Sequence, residues 1–98
     1  MPKTKDAVKI LHHEARNDPE AMMALQKARL NAEVAQLIYD ARTAAELTQR
    51  QLAQKIGTTQ SVIARLEDAD YEGHSLNMLQ RVAIALEQRL EIRMLPVA

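Results

Sequence analysis

The run from Leu47 to Glu67, L-T-Q-R-Q-L-A-Q-K-I-G-T-T-Q-S-V-I-A-R-L-E, constrains this chain of 98 residues more than any other stretch. Thr48 offers a side-chain oxygen to a helix N-terminus, and Leu52, Ala53 and Ile56 follow at three- and four-residue spacing. Gly57 then predicts an abrupt stop, because the left-handed backbone that closes such a turn costs glycine little. Thr58 or Thr59 caps a second helix, whose apolar positions are Val62, Ile63 and Leu66. Ala53 is small enough to let the two helices cross closely.

Two short helices joined at a glycine have the plan of a helix-turn-helix unit. With Val62, Ile63 and Leu66 turned inward, Gln60, Ser61, Ala64 and Arg65 face outward. Glutamine near the N-terminus and arginine a turn later are side chains able to reach base edges in a major groove. The alternative is an ordinary solvated face. The glycine register, the small residue and both caps agree with one another and favour a DNA-reading helix.

The same run resembles the lambda-type repressor, Cro and XRE family of regulators. There a glutamine opens the first motif helix (Gln49), a small residue sits inside it (Ala53) and a glycine makes the turn (Gly57). T-T-Q at Thr58, Thr59 and Gln60, a buried Ile63 and the terminal L-E at Leu66 and Glu67 also match, and the resemblance extends roughly from Val34 to Leu86. It implies an all-α, lambda-repressor-like fold in which Gln60, Ser61 and Arg65 contact bases. It places Gln49 and Thr59 on phosphates, and the helix opened by Ser75 against the DNA backbone, so that Ser75, Asn77 and Arg81 are further phosphate candidates. It pairs Arg42 with Glu67 as a structural ion pair. One departure stands out: many relatives have glycine before the L-T-Q run where this chain has Glu46, which predicts a looser or more helical turn.

Composition narrows the setting. The chain has no cysteine, phenylalanine or tryptophan, so aliphatic residues must form the core and no disulfide supports it. Two glycines and three prolines point to a mostly helical chain. No apolar run approaches membrane-spanning length and no signal peptide opens the sequence, which predicts a cytoplasmic protein, nucleoid-associated when bound to DNA. The formal net charge is zero, but Arg42, Arg50, Lys55 and Arg65 face only Glu46 across the motif. Arg50 joins the phosphate candidates on this ground. An acidic group of Glu67, Asp68, Asp70 and Glu72 follows at once. So few basic residues per copy imply modest affinity, hence a dimer or a partner.

The flanks read differently. Thr4 can cap a short helix with Val8, Leu11 and Ala15 on one face, either a frayed tail or a segment that orders on binding. His12 and His13 diverge by about 100° on a helix and cannot share a metal, and no cofactor is expected. Asp18-Pro19-Glu20 begins a firmer helix, and nothing forces a break before about Ala45. Its second half, 33–45, has the core stripe Val34, Leu37, Ile38, Ala41 and Ala45, while Met22, Met23, Leu25, Ala28 and Leu30 in its first half are core filler or a partner surface. Ser75 opens a helix with the stripe Leu76, Leu79, Val82, Ala83 and Leu86. Between these, His74 is expected to be an exposed loop residue. The period then changes: Leu90, Ile92 and Met94 alternate with Arg89, Glu91 and Arg93. That predicts a strand over 89–95, paired antiparallel with a second copy because a lone strand cannot satisfy its ladder.

The reading is therefore a partner-binding extension, 1–32, before a DNA-binding domain, 33–98. An extension with Asp18-Pro19-Glu20, running into A-Q-L-I-Y-D-A-R and followed by a terminal I-R-M strand, resembles HigA-type antitoxins. That resemblance implies binding of a RelE- or HigB-like ribonuclease toxin and repression of a palindromic operator, with Val8, Leu11, Met22, Met23 and Leu25 on the toxin. The alternatives are a stand-alone or phage-type repressor without a toxin, and an enzyme, which no paired carboxylate, nucleophile–base set or phosphate loop supports.

Overall fold

The computed structural model describes residues 17–96, so Val8, Leu11 and the histidine pair lie outside the described residues. Four helices follow in order: α1 (Pro19–Ala44), α2 (Gln49–Ile56), α3 (Gln60–Leu66) and α4 (Leu76–Ala85). Each begins at a side-chain cap. Asp18 accepts from the Glu20 and Ala21 N–H groups, Thr59 from Val62 and Ser75 from Met78. Thr48 accepts from the Gln51 N–H while the Gln51 side chain accepts from the Thr48 N–H, a reciprocal capping box. α1 is 26 residues long and crosses residues 32 and 33 unbroken.

Three of the helices end alike. After α2, the Gly57 and Thr58 N–H groups both donate to the Ala53 carbonyl, with Gly57 left-handed at φ 83°. After α1, Glu46 donates to Thr43 and Leu47 to Arg42; after α4, Glu87 donates to Ile84 and Gln88 to Ala83. These are Schellman closures, and they force Glu46 and Glu87 to φ 58° and 56°, where glycine would be relaxed. The expectation of a looser or more helical turn at Glu46 is therefore corrected: the turn is tight, and Glu46 is left-handed. The turn keeps its tight form because Arg42 holds Leu47 twice, through its own carbonyl and through Nη1 to the Leu47 carbonyl at 2.8 Å.

Ile38, Leu52, Ala53, Ile63, Leu66, Val82 and Leu86 form the core, with Val34, Ala41, Ile56, Val62 and Leu79 packed against it. All four helices contribute. The stripes need two corrections. Leu37 is 53% exposed and Ala45 is exposed, while Ala35 and Arg42 are buried on α1 in their place; Leu76, at the first position of α4, is 63% exposed. Leu37 lies on the flank of α1, since its neighbours Val34, Ile38 and Ala41 are the ones that meet the core, and Leu76 stands at the very start of α4. His74 is also not a free loop residue: its Nε2 lies 2.7 Å from the Leu66 carbonyl and its ring meets Tyr71 edge-on. The Tyr71 ring lies over Gly73, where a Cβ would make the ring shift.

The expected strand over 89–95 is not formed in the single chain. Residues 88–96 are irregular, and no strand occurs among the described residues. The physical reason is the one that called for a second copy: no described residue offers a ladder to this segment.

Candidate nucleic-acid interface

α2 and α3 are short because their caps and turn leave them no more room, and this places the N-terminus of α3 beside the first residue of α2. There the Gln60 Nε2 donates to Gln49 Oε1 at 2.9 Å, and Gln49 Nε2 donates to Glu67 Oε1 at 3.1 Å. Glu67 in turn accepts two bonds from Arg42, Nε to Oε2 at 2.7 Å and Nη2 to Oε1 at 3.0 Å. One chain of polar groups thus runs from α1, through the end of α3, to the start of α2 and back to the start of α3.

The chain grows more buried toward its root. Gln60 is exposed and Gln49 half-buried, whereas the side chains of Arg42 and Glu67 are 11% and 4% accessible. The bidentate bond to Glu67 raises the Arg42 pKa above its ordinary value, against the opposing effect of burial. Arg42 also lies 5.3 Å from the centre of the Tyr39 ring.

This arrangement fixes an orientation. Because the Gln49 amide nitrogen faces a carboxylate, its oxygen must face Gln60, and Gln60 must present its nitrogen. Gln60 then keeps one N–H and its Oε1 available, a side-by-side donor and acceptor on an exposed helix end. Arg42, Thr48, Gln49, Arg50 and Gln60 line an open depression of about 570 Å³ around it.

Gln60, Gln49, Arg42, Glu67 and Arg50 are therefore assembled at one place. Ser61 and Arg65 are exposed on the outer face of α3, with Ala64 between them. Thr59 and Ser75 spend their hydroxyls on caps. Arg81 is elsewhere: its Nη2 donates to the Ile56 carbonyl at 2.8 Å, capping the C-terminus of α2 and lining a separate depression with Lys55 and Ile84. Asn77 lies with Leu76, Gln80, Leu90 and Ile92 along another groove. On α1, Met22 and Leu25 are half-buried and Met23 is 69% exposed.

The relay from Gln49 to Glu67 was not evident from periodicity, because it joins residues far apart in sequence through side chains alone. The signal that existed was the pair of glutamines, each following a threonine cap. Glu87 likewise carries no sequence mark of its left-handed backbone, whereas Glu46 stands where the family it resembles often has glycine.

A family model for a helix-turn-helix domain matches residues 16–95. No curated protein and no solved structure matches the chain. Among the described residues, no helix is long and apolar enough to cross a membrane.

Proposed function

The chain belongs to the helix-turn-helix domain family, and we propose that within it the chain is a sequence-specific repressor that binds a palindromic operator as a homodimer. The observation that carries this reading is the Gln60 amide, held in one orientation by Gln49, Glu67 and Arg42 at the exposed start of α3. A donor beside an acceptor is the complement of the adenine N6 and N7 edge, so Gln60 reads adenine. Ser61 and Arg65 reach neighbouring base pairs from the same face, Arg65 matching a guanine edge.

Gln49, Arg50 and the N–H groups at the starts of α3 and α4 meet phosphates. Asn77 and Ser75 contribute at α4. Arg81 acts there only if it leaves the Ile56 carbonyl. Half-sites lie about one helical turn, roughly 34 Å, apart.

A selection of bound duplexes from a random pool, followed by gel-shift titration, tests this. Gln60→Ala should relax preference at one adenine position and Arg65→Ala at one guanine position, each at a cost of about 1–3 kcal/mol. Arg50→Ala should weaken all duplexes alike and reduce the salt dependence. Unchanged specificity for Gln60→Ala and Arg65→Ala would overturn the base-reading role of α3.

The same repressor acts as the antitoxin of a type II module, taking a RelE- or HigB-like toxin on α1 and the residues before it. The supporting observation is that α1 leaves Met23 and Leu30 mostly exposed well before the residues it gives to the core. Val8 and Leu11, with Met22, Met23 and Leu25, supply the contacts, leaving Gln60 and Arg65 free for DNA. Co-expression with the product of the adjoining gene tests it: deletion of residues 1–17 should weaken neutralisation while operator binding persists. If no growth-inhibiting ribonuclease is encoded beside this chain, the stand-alone repressor is the reading that remains.

A further inference from the structure

We infer that the homodimer is joined by residues 89–95 of two copies, paired antiparallel in one register, with Ile92 opposite Ile92. The inference rests on the dimeric reading above and specifies its geometry. After α4, Gln88 gives its N–H to the Ala83 carbonyl and Glu87 is left-handed, so the segment free of that closure begins only at Arg89. From there to Leu95 no described residue supplies a backbone hydrogen bond. Glu91 and Arg93 share one side, Arg93 Nε lying 3.7 Å from Glu91 Oε2. On the alternate positions Ile92 is 64% exposed and Met94 fully exposed, next to an open groove of about 510 Å³ lined by Leu76, Asn77, Gln80, Leu90 and Ile92.

A symmetric antiparallel pair places one residue opposite its own copy, and opposed residues share a face of the ribbon. Centring on Arg89 runs into the closure of α4, and centring on Met94 or Leu95 brings in Pro96, which has no N–H to give, so four centres remain. Centring on Glu91 opposes Glu91 to Glu91 and Arg89 to Arg93. Centring on Arg93 opposes two arginines. Like charges directly opposite one another are unfavourable. Centring on Leu90 opposes Ile92 to Gln88 and Arg93 to Glu87, but those two residues belong to the closure of α4 and are not extended. Centring on Ile92 opposes each Glu91 to an Arg93 and each Leu90 to a Met94. Charge and apolar matching then agree. A two-stranded ribbon alone is marginal in water, so its apolar side must rest on something, and the exposed Leu76 at the start of α4 provides that floor.

The chain contains no cysteine, so single replacements report the register without background. Leu90→Cys, Glu91→Cys, Ile92→Cys and Arg93→Cys would each be oxidised under identical conditions, with sedimentation of the unaltered chain alongside. Ile92→Cys should form the disulfide dimer at least about tenfold faster than the others, since only opposed residues meet disulfide geometry. Charge reversal provides a second measurement. Glu91→Arg and Arg93→Glu should each raise the dimer dissociation constant about tenfold or more, and the double variant should restore it. A fastest cross-link at 90, 91 or 93 in a chain that sediments as a dimer would overturn the register alone. A chain that stays monomeric at all concentrations would overturn the dimeric reading itself.

Discussion

Leu52 and Ile63 are wholly shielded from solvent, whereas Ile92 and Met94 are 64% and 100% exposed, although all four occupy apolar positions of a regular pattern. The first two lie in one core cluster, on helices of the same motif that pack against each other. The second two sit on an irregular segment to which no described residue gives a backbone hydrogen bond. α1 repeats the contrast within one element: Ile38 closes the core, while Met23, Leu30 and Leu37 recur at every seventh residue on an exposed face. An apolar period locates a face; it does not say which surface covers it. In this molecule the helix-turn-helix unit covers its own faces, and both flanks leave theirs for others.

The sharpest way to break that contrast is to attack the root of the unit. Glu67→Ala removes the partner of a buried guanidinium and should cost about 3–5 kcal/mol, a large share of what a small domain possesses. Ile63→Ala, at a fully buried position, should cost about 2–5 kcal/mol. Ile92→Ala should change the unfolding free energy of the dilute monomer by less than about 0.5 kcal/mol. Urea titrations at low protein concentration read all three. If Ile92→Ala proved as costly as Ile63→Ala there, the C-terminal segment would be packed within its own chain and the contrast would fail. The raised Arg42 pKa sets the pH sense: a base held above its ordinary value stabilises below that value and loses the contribution only as pH rises through the raised one. Guanidinium ionisation being so alkaline, Arg42 should produce no stability midpoint between pH 5 and 9 (roughly the range of such titrations).

What the sequence showed and what it hid follow the same division. The caps at Asp18, Thr48, Thr59 and Ser75, the stop at Gly57 and the inward Ile63 and Leu66 are local chemistry, and local chemistry is written in adjacent residues. Only family resemblance marks the Arg42–Glu67 pair, since its spacing of 25 residues carries no local signal. Leu37 and Leu76 look like core because each continues a helical stripe, yet the core is too small to reach them. Arg81 reads as a phosphate candidate by position, and its bond to the Ile56 carbonyl at the end of α2 is visible only once α4 is docked. His74 is drawn in by the Leu66 carbonyl, which the end of α3 leaves unsatisfied.

A smaller effect is expected where α1 meets the unit. Glu46 closes α1 with a left-handed backbone that costs a residue with a Cβ about 1–2 kcal/mol, partly offset by the lower chain entropy it has over glycine when unfolded. Glu46→Gly should therefore stabilise the protein by roughly 0.5–1 kcal/mol, and Glu87→Gly at the end of α4 should act in the same sense. Thermal denaturation checks this. A loss of stability on Glu46→Gly would mean that the Glu46 side chain holds the turn, and that the closure is not set by Arg42 and Leu47 alone.

The smallest expected effect is the most informative about α1. Met23, Leu30 and Leu37 lie on nearly one line, because seven residues drift only about 20° from two full turns of a helix. None of the three belongs to the core or to the hydrophobics packed on it. Leu30→Ser and Leu37→Ser should accordingly leave the unfolding free energy within about 0.5 kcal/mol of the parent chain, no more than Ile92→Ala does. They should leave operator binding unaltered too, since Gln60 and Arg65 stand on another helix. Their effect should appear only with a partner, where a few central apolar anchors carry most of the affinity. Capture of the co-expressed toxin by the Leu30→Ser chain should fall at least about tenfold while its denaturation curve overlays the parent's. A destabilisation of more than about 1 kcal/mol by either serine would show that this face is already covered within the chain. The stripe on α1 would then be core, and the antitoxin reading would lose the surface it depends on.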